Sequence, residues 1–480
     1  MHIWVGLGGP KADKPAKFSL LHLLNPCSPM SLRLIFLLYL LVWSFQLPAQ
    51  SYPPVPELPV PASFTANLPR TTSLLTSTEN PPRQVRVLVY GQSISMQTWW
   101  QQVKQFLQQR YPNVQLVMEN RAIGGFSSDR LKWMVANDVV PFYPDLILFH
   151  DYGNEPDYEQ IIRTIRSQTT AEVIIQTDHI GIGQNEEWHD RHGNVWMPAL
   201  CDKYGLALLD VRAAWKAYLA QNQLKPGKLL SDNVHLNEHG NHVMAQIVQR
   251  YLEALPKRAE ELANTVRVLR SGRDFSPKNR TIRLPVTGNR IDIVWRAAAD
   301  SVQPVAVTID GQRPSTHLAG YYYSRPALKP TGFFLNRIGQ LLVIRLGGKP
   351  QAEDWTLTVT AVDTIRQQLQ FSVSGSRTGE DGTGRSDQPF ISRSGRMQID
   401  STGWFRRKNP GDFRQFPWLK PGDSLHWRVF SAGQDTCQPG KEAVTTIVQG
   451  IANTEHRLAL SGKGIRAIQE IRVYQPPLRP

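Results

Sequence analysis

Residues 85–96 read VRVLVYGQSISM, and the fold class turns on how this stretch divides. Val85, Val87, Leu88, Val89 and Tyr90 make a run rich in β-branched and apolar residues that stops at Gly91, and a helical pattern begins just after Ser93. That order predicts a buried strand, a tight turn and a helix, with one serine at the turn. A hydroxyl there points out over the edge of a sheet. Ser93 is therefore a nucleophile candidate, provided the rest of the chain brings partners to the same edge.

Working outward, the pattern repeats. Apolar strands are expected near 84–90, 114–118, 145–149, 172–176 and 206–210, with amphipathic helices between them. Met96, Trp99, Trp100, Val103 and Leu107 share one face at a 3.6-residue period, which makes the tryptophans core residues. Repeated β-α units imply a parallel sheet covered by helices on both faces, a three-layer α/β/α domain over 83–256. After about 265 short strands alternate with Gly, Pro and Asp, which predicts an all-β accessory region over 265–480, most simply a sandwich or jelly roll. Two units divided near the Gly-rich stretch 374–386 are the alternative there. That stretch lacks the Gly-Lys-Ser/Thr ending of a phosphate loop and reads as a hairpin loop, with calcium binding by its acidic residues as the rival.

The other end of the chain carries an address. Arg33 precedes the apolar run 34–43, and 47–49 (LPA) offers a small residue for cleavage, so 1–49 reads as an upstream segment and a signal peptide with a natural start near Met30. The run is too short for a confident transmembrane span. An exported protein, secreted or periplasmic and without stable membrane insertion, is expected; a retained anchor is the alternative. Residues 50–82, rich in Pro, Ser and Thr and without periodicity, read as a linker or an extended arm.

Composition narrows the partners. A formal net charge of +14 would suit nucleic acid or an acidic polymer, but the Lys and Arg are dispersed and no nucleic-acid motif accompanies them, so nucleic acid is not expected as a partner. The three cysteines, Cys27, Cys201 and Cys437, include no C-x-x-C pair, which leaves no cysteine-built zinc site and no visible disulfide framework. A bond between Cys201 and Cys437 stays open.

In a parallel α/β sheet, ligands bind beyond the carboxyl ends of the strands. The residues found there are Ser93, then Asn120 to Gly125, Tyr152-Gly153-Asn154-Glu155, Asp178-His179, and Ser231-Asp232-Asn233-Val234-His235. Acyl transfer fits this set. A serine hydroxyl needs a neutral imidazole to take its proton and a carboxylate to orient that imidazole, and Asp232 and His235 can supply both from one loop. The N–H of Ser93, the N–H of Gly125 and the amide of Asn154 can serve a developing oxyanion. At low weight, His179 is a substrate-pocket candidate, as are His189 and His192; Tyr321-Tyr322-Tyr323, with Trp404 and Trp418, are candidates for stacking on sugar rings, Tyr322 foremost.

With these residues in order, the sequence resembles the SGNH (GDSL-type) hydrolases. Gly91-Gln92-Ser93, Asn120 to Gly125, Gly153-Asn154-Glu155 and Asp232-x-x-His235 correspond to that family's four marker blocks, within about 84–254. The resemblance implies a flavodoxin-like SGNH domain, Ser93 as nucleophile, His235 as base, Asp232 as its partner, and Ser93, Gly125 and Asn154 as the oxyanion hole, with Gly124 as the neighbouring option. Gln92 departs from the usual aspartate of the first block, and Tyr152 and Glu155 depart in the third. No metal and no organic cofactor is expected.

The expected activity is that of an exported serine esterase removing acyl groups, acetyl above all, from an ester-bearing small molecule or a polysaccharide. A lipid or thioester hydrolase and a non-catalytic glycan-binding surface protein are the alternatives. A metal reading also exists, because His235-Leu-Asn-Glu238-His239 spells H-x-x-E-H, a zinc pattern when both histidines sit one turn apart on a helix.

Overall fold

The computed structural model describes residues 52–78, 83–256, 265–296, 303–328, 341–404, 419–439 and 442–478. Every element below belongs to the compact unit Pro54–Pro480. The apolar run 34–43, the cleavage position 47–49, Met30, Cys27 and Trp418 lie outside the described residues. Among the described residues no helix is long and apolar enough to cross a membrane.

Five parallel strands, β1 (Gln84–Gly91), β2 (Gln115–Asn120), β3 (Leu146–His150), β4 (Glu172–Gln176) and β5 (Ala207–Leu209), form one sheet in the order β2-β1-β3-β4-β5. This is the flavodoxin-like doubly wound order, with its switch point between β1 and β3. Strand β1 is central because it has two apolar faces. Val85, Val87 and Val89 pack into one core cluster and Leu88 and Tyr90 into another. A one-residue slip would exchange the two sets, each buried Val or Leu carrying about 1.5–3 kcal/mol, so the register is strongly specified.

The helices divide accordingly. On the first face lie α4 (Trp99–Arg110), α9 (Val211–Gln221) and α10 (Glu238–Glu253), through residues such as Trp99, Trp215 and Val243. On the second lie α5 (Ser128–Asp138), α6 (Glu155–Gln168) and α8 (Met197–Tyr204), through Leu131, Ile161 and Met197. The layers are therefore α/β/α.

The stretch 50–82 is not a free linker where it is described. It holds α1 (Ala62–Ala66) and α2 (Pro69–Leu75), and Phe64, Leu68, Leu74 and Leu75 enter the first-face core. The backbone N–H groups of Arg70 and Thr71, open at the start of α2, donate to the two oxygens of Glu172 at 2.8 and 2.7 Å. Helices of five and seven residues leave too little periodicity to be read in advance.

The C-terminal region is antiparallel and nested. A six-stranded sheet is built from β6 (Val266–Arg270), β7 (Thr281–Trp295) and β8 (Val305–Ile309), and from β17 (Thr436–Cys437), β18 (Val444–Ser461) and β19 (Ile468–Tyr474). Between β8 and β17 the chain makes a five-stranded sheet, in the order β13 (Gly379–Arg385), β12 (Gln368–Gly375), β11 (Glu353–Asp363), β16 (Ser424–Ser431) and β9 (Tyr321–Tyr323), and a three-stranded one, in the order β10 (Arg345–Leu346), β15 (Met397–Ile399) and β14 (Phe390–Ile391). At 374–386 the chain runs through one hairpin, whose paired arms are β12 (Gln368–Gly375) and β13 (Gly379–Arg385). Asp381 of that hairpin is buried and accepts from the Ser394 backbone N–H and hydroxyl, so it anchors a turn.

The β region is bolted to the α/β layers by buried polar contacts. Arg325 makes a two-pronged pair with Asp138 at 2.8 and 2.7 Å, and the Tyr90 hydroxyl donates to the same carboxylate at 3.1 Å. Tyr143 donates to Asn289 Oδ1 at 2.8 Å, and Gln449 Nε2 to the Val140 carbonyl at 2.7 Å. Cys201 and Cys437 are both free and buried, one in α8 and the other in β17, so no bond joins them.

Candidate active site

The turn after β1 requires its glycine. Gly91 has φ +134°, and a Cβ there would stand 1.8 Å from the His150 carbonyl oxygen at the end of β3. The Gln92 N–H donates to that carbonyl at 3.2 Å, and the chain enters the short helix α3 (Ser93–Met96). Ser93 is thereby presented at the carboxyl edge of the sheet.

The loop ahead of α10 supplies its partners. His235 Nε2 lies 3.0 Å from Ser93 Oγ although the residues are 142 positions apart. His235 Nδ1 is 2.8 Å from Asp232 Oδ2, and Asp232 Oδ1 accepts the N–H groups of Val234 and His235 at 2.7 Å each. Those two backbone bonds, then the imidazole, hold the Asp232 carboxyl down to about 2. The pair is open to water: the Asp232 side chain is 57% and the His235 side chain 42% exposed.

Several side chains brace this loop. Gln97, just after α3, clamps the backbone of Leu236 with its amide, donating to the carbonyl at 3.0 Å and accepting the N–H at 2.9 Å. His179 Nε2 donates to the Val234 carbonyl at 2.7 Å, and the Ile182 N–H to Asn233 O at 2.8 Å. His179 is 2% exposed, and burial lowers it to about 4. It supports the loop from beneath and does not line a substrate surface.

The structure places the expected oxyanion donors as follows. Gly125 has φ +74°, a conformation that favours glycine, and its carbonyl accepts from Arg130 at 2.9 Å. Gly124 turns its Cα toward the serine, since a Cβ there would stand 3.9 Å from Ser93 Cβ and 3.1 Å from Met96 Sδ. Asn154 caps α6: its Oδ1 accepts the Asp157 N–H at 2.9 Å and its Nδ2 donates to Asp157 Oδ2 at 2.6 Å. One hydrogen of that amide is thus committed to Asp157.

Gln92 is buried and sits between two networks. Its Oε1 accepts the Ser93 hydroxyl at 2.7 Å, and its Nε2 lies 3.2 Å from His150 Nδ1. His150 Nε2 reaches Asp178 Oδ1 at 3.0 Å, and His189 Nδ1 reaches Asp178 Oδ2 at 2.7 Å. Burial acts to raise the Asp178 carboxyl, but hydrogen bonds from His150 and His189 outweigh it and hold the group far below the usual range. The segment after β4 carries α7 (Glu186–Arg191) and a π-helical turn, His192–Trp196, and the pocket candidate His192 is buried there, stacked between Trp188 and Trp196 at 4.6 Å from each.

Two other expectations fail. Tyr322 and Tyr323 lie in β9 (Tyr321–Tyr323), paired with β16 (Ser424–Ser431), and are 6% and 3% exposed. Trp404 is also buried, so none of the three is a surface for stacking on sugars. The H-x-x-E-H reading fails on geometry. Asn237 is the N-cap of α10, so His235 lies ahead of the helix, and His239 Nε2 pairs with the Tyr218 hydroxyl at 2.6 Å. No cluster able to hold a metal occurs among the described residues.

Gln97 and the linking of His150, Asp178 and His189 into one chain escaped sequence reading because no local pattern says which of these side chains meet. The one usable signal was His150 closing an otherwise apolar strand, which asks for a buried polar partner.

Among solved structures the chain is similar to a two-domain esterase (CEX) active on acetylated mannans, at 10% identity, covering 83% of this chain and 93% of that one, with a TM-score of 0.33. It is also similar to Axe2, an acetylxylan esterase from Geobacillus stearothermophilus, at 18% identity over 38% of this chain and 99% of that one, with a TM-score of 0.32. A third is LAE5, an alpha/beta hydrolase enzyme from the metagenome of Lake Arreo, Spain, at 19% identity over 36% and 98%, also at 0.32. No family model and no curated protein matches the chain. At TM-scores of this size the likeness carries no weight for the chemistry, which has to come from the site.

Proposed function

We propose that the protein is an exported serine esterase that removes small acyl groups, acetyl foremost, from a carbohydrate. The observation that carries this is the line Ser93 Oγ, His235 Nε2 at 3.0 Å, His235 Nδ1 to Asp232 Oδ2 at 2.8 Å. As Ser93 Oγ attacks the ester carbonyl, its proton passes to His235 Nε2, and Asp232 stabilises the imidazolium. The N–H groups of Ser93 and Gly125, with the second amide hydrogen of Asn154, receive the oxyanion. His235 then returns the proton to the leaving alkoxide, and water, activated by the same imidazole, releases the acid from the Ser93 ester.

The openness of Asp232 and His235 favours a small acyl group on a bulky polar alcohol, because a long acyl chain would lie in water. Export rests on the apolar run 34–43 behind Arg33. The test is hydrolysis of an aryl acetate, with labelling by a serine-directed phosphonate. Ser93→Ala is expected to lower kcat by at least about 10³-fold and to abolish labelling without unfolding the chain. Retained turnover would overturn the assignment. Acetate released from acetylated polysaccharides by the unaltered protein tests the substrate class.

A further inference from the structure

Ser93 Oγ carries one proton and faces two acceptors, Gln92 Oε1 at 2.7 Å and His235 Nε2 at 3.0 Å. The first acceptor is not free to choose its orientation: Oε1 also accepts the Ile94 N–H, at a long 3.4 Å, which turning the amide gives up. Behind it runs the buried chain Gln92 Nε2 to His150 Nδ1, His150 Nε2 to Asp178 Oδ1, and Asp178 Oδ2 to His189 Nδ1, at 3.2, 3.0 and 2.7 Å. Gln92 and His150 are each 1% exposed. An ionised Asp178 only accepts, so it draws hydrogens to His150 Nε2 and His189 Nδ1.

That leaves His150 Nδ1 with two conditions. When it is bare, Gln92 must donate to it, which turns Oε1 to Ser93 and draws the serine proton away from His235. When it is protonated, Gln92 must accept from it, which turns Nε2 to Ser93. Only the second orientation leaves the serine proton to His235. Once Oγ has given up its proton and joined the acyl carbon, only that orientation sets a donor against it; the first sets oxygen against oxygen at hydrogen-bond distance, each without a proton to share.

Building on the reading of Ser93 as nucleophile, we propose that Gln92 is a positioning residue for ester hydrolysis, turning its amide nitrogen to Ser93 when His150 is protonated on both ring nitrogens. The groups around His150 suit this. Asp178, beyond β4, provides the balancing negative charge. His179, on the same loop, is kept neutral by burial, and Asp151, next along from β3, is pushed well above the carboxylate range by burial. His189 of α7 shares the Asp178 carboxylate, and the buried His192 of the π-helical turn also feels it.

The test is kcat and KM for an aryl acetate from about pH 5 to about pH 9. The unaltered protein should show an acid limb and an alkaline limb, the second from the turning of the Gln92 amide. Gln92→Met should lose about tenfold in kcat with KM little changed, and should lose the alkaline limb. Gln92→Glu keeps the shape but, ionised, has no hydrogen to present to Ser93. It should be slower than Gln92→Met near neutrality and recover toward acid pH. Asp178→Asn should move the alkaline limb to lower pH. An unchanged alkaline limb in Gln92→Met, an unaltered protein without that limb, or a fully active Gln92→Glu at neutral pH would overturn the proposal while an inactive Ser93→Ala leaves the esterase reading standing. An active Ser93→Ala would overturn both.

Discussion

Replacing Arg325 by methionine tests how the β region is joined to the layer that carries the site. Arg325 and Asp138 are 2% and 0% exposed in their side chains, and the carboxylate has three partners: Arg325 Nε at 2.8 Å, Arg325 Nη2 at 2.7 Å and the Tyr90 hydroxyl at 3.1 Å. Methionine keeps the aliphatic stem but removes the charge and two of the three hydrogen bonds. It leaves the anion with the Tyr90 phenol and the more distant charge of Arg121. Breaking a buried pair in this way costs about 3–5 kcal/mol, about a fifth or more of the usual stability of a domain, because the remaining charge has lost its solvation and its compensation. The two side chains come from different parts of the fold, Asp138 from α5 and Arg325 from the segment after β9, so the loss should appear as a lower urea midpoint with the β region loosened from the α/β layers. Asp138→Asn alone should cost about as much. The double variant should cost clearly less than the sum, with a coupling of about 2 kcal/mol or more, because each substitution removes the same interaction. Single losses below about 1 kcal/mol, or strict additivity, would refute the view of this pair as the join.

Three further outcomes follow from the geometry. Asp232, held at about 2, stays ionised above about pH 4 and adds no titration of its own there, so the acid limb of log kcat/KM should not be steeper than a slope of about one; a slope of two above about pH 4 would refute this. Because a depressed carboxyl stabilises the fold above its unfolded pKa and loses that contribution as pH falls through the folded one, any stability due to Asp232 disappears between about pH 4 and about pH 2, and its exposure keeps it small. Gly91→Ala should fail to give folded protein by circular dichroism, since its Cβ would meet the His150 carbonyl at 1.8 Å; a folded, fully active variant would remove the case for this turn. Phe64→Ala should lower stability by about 3–5 kcal/mol in urea, whereas a residue on a free arm would leave the midpoint unchanged.

The sequence by itself determined the α/β class, the strand positions and the edge on which the reactive residues gather. It could do so because period and turn chemistry are local: Val85 to Tyr90 must be a doubly buried strand, Gly91 must turn, and Asp232 can reach His235 within one loop. Ser93 and His235 were paired by chemistry, and the fold then set them 3.0 Å apart. What only the tertiary structure decided depends on residues that carry no local pattern. Phe64 and Leu68 become core because residues distant in sequence, Tyr251 of α10 against Phe64 among them, pack over them. Tyr322 becomes interior because β9 pairs with β16 about a hundred positions away, and His179 becomes a brace because Val234 O lies above it. Gln92 is the sharpest case. Its residue type shows a donor and an acceptor on one amide, but which of them meets Ser93 is set by the hydrogen that His150 carries, and that in turn by a buried carboxylate from another strand.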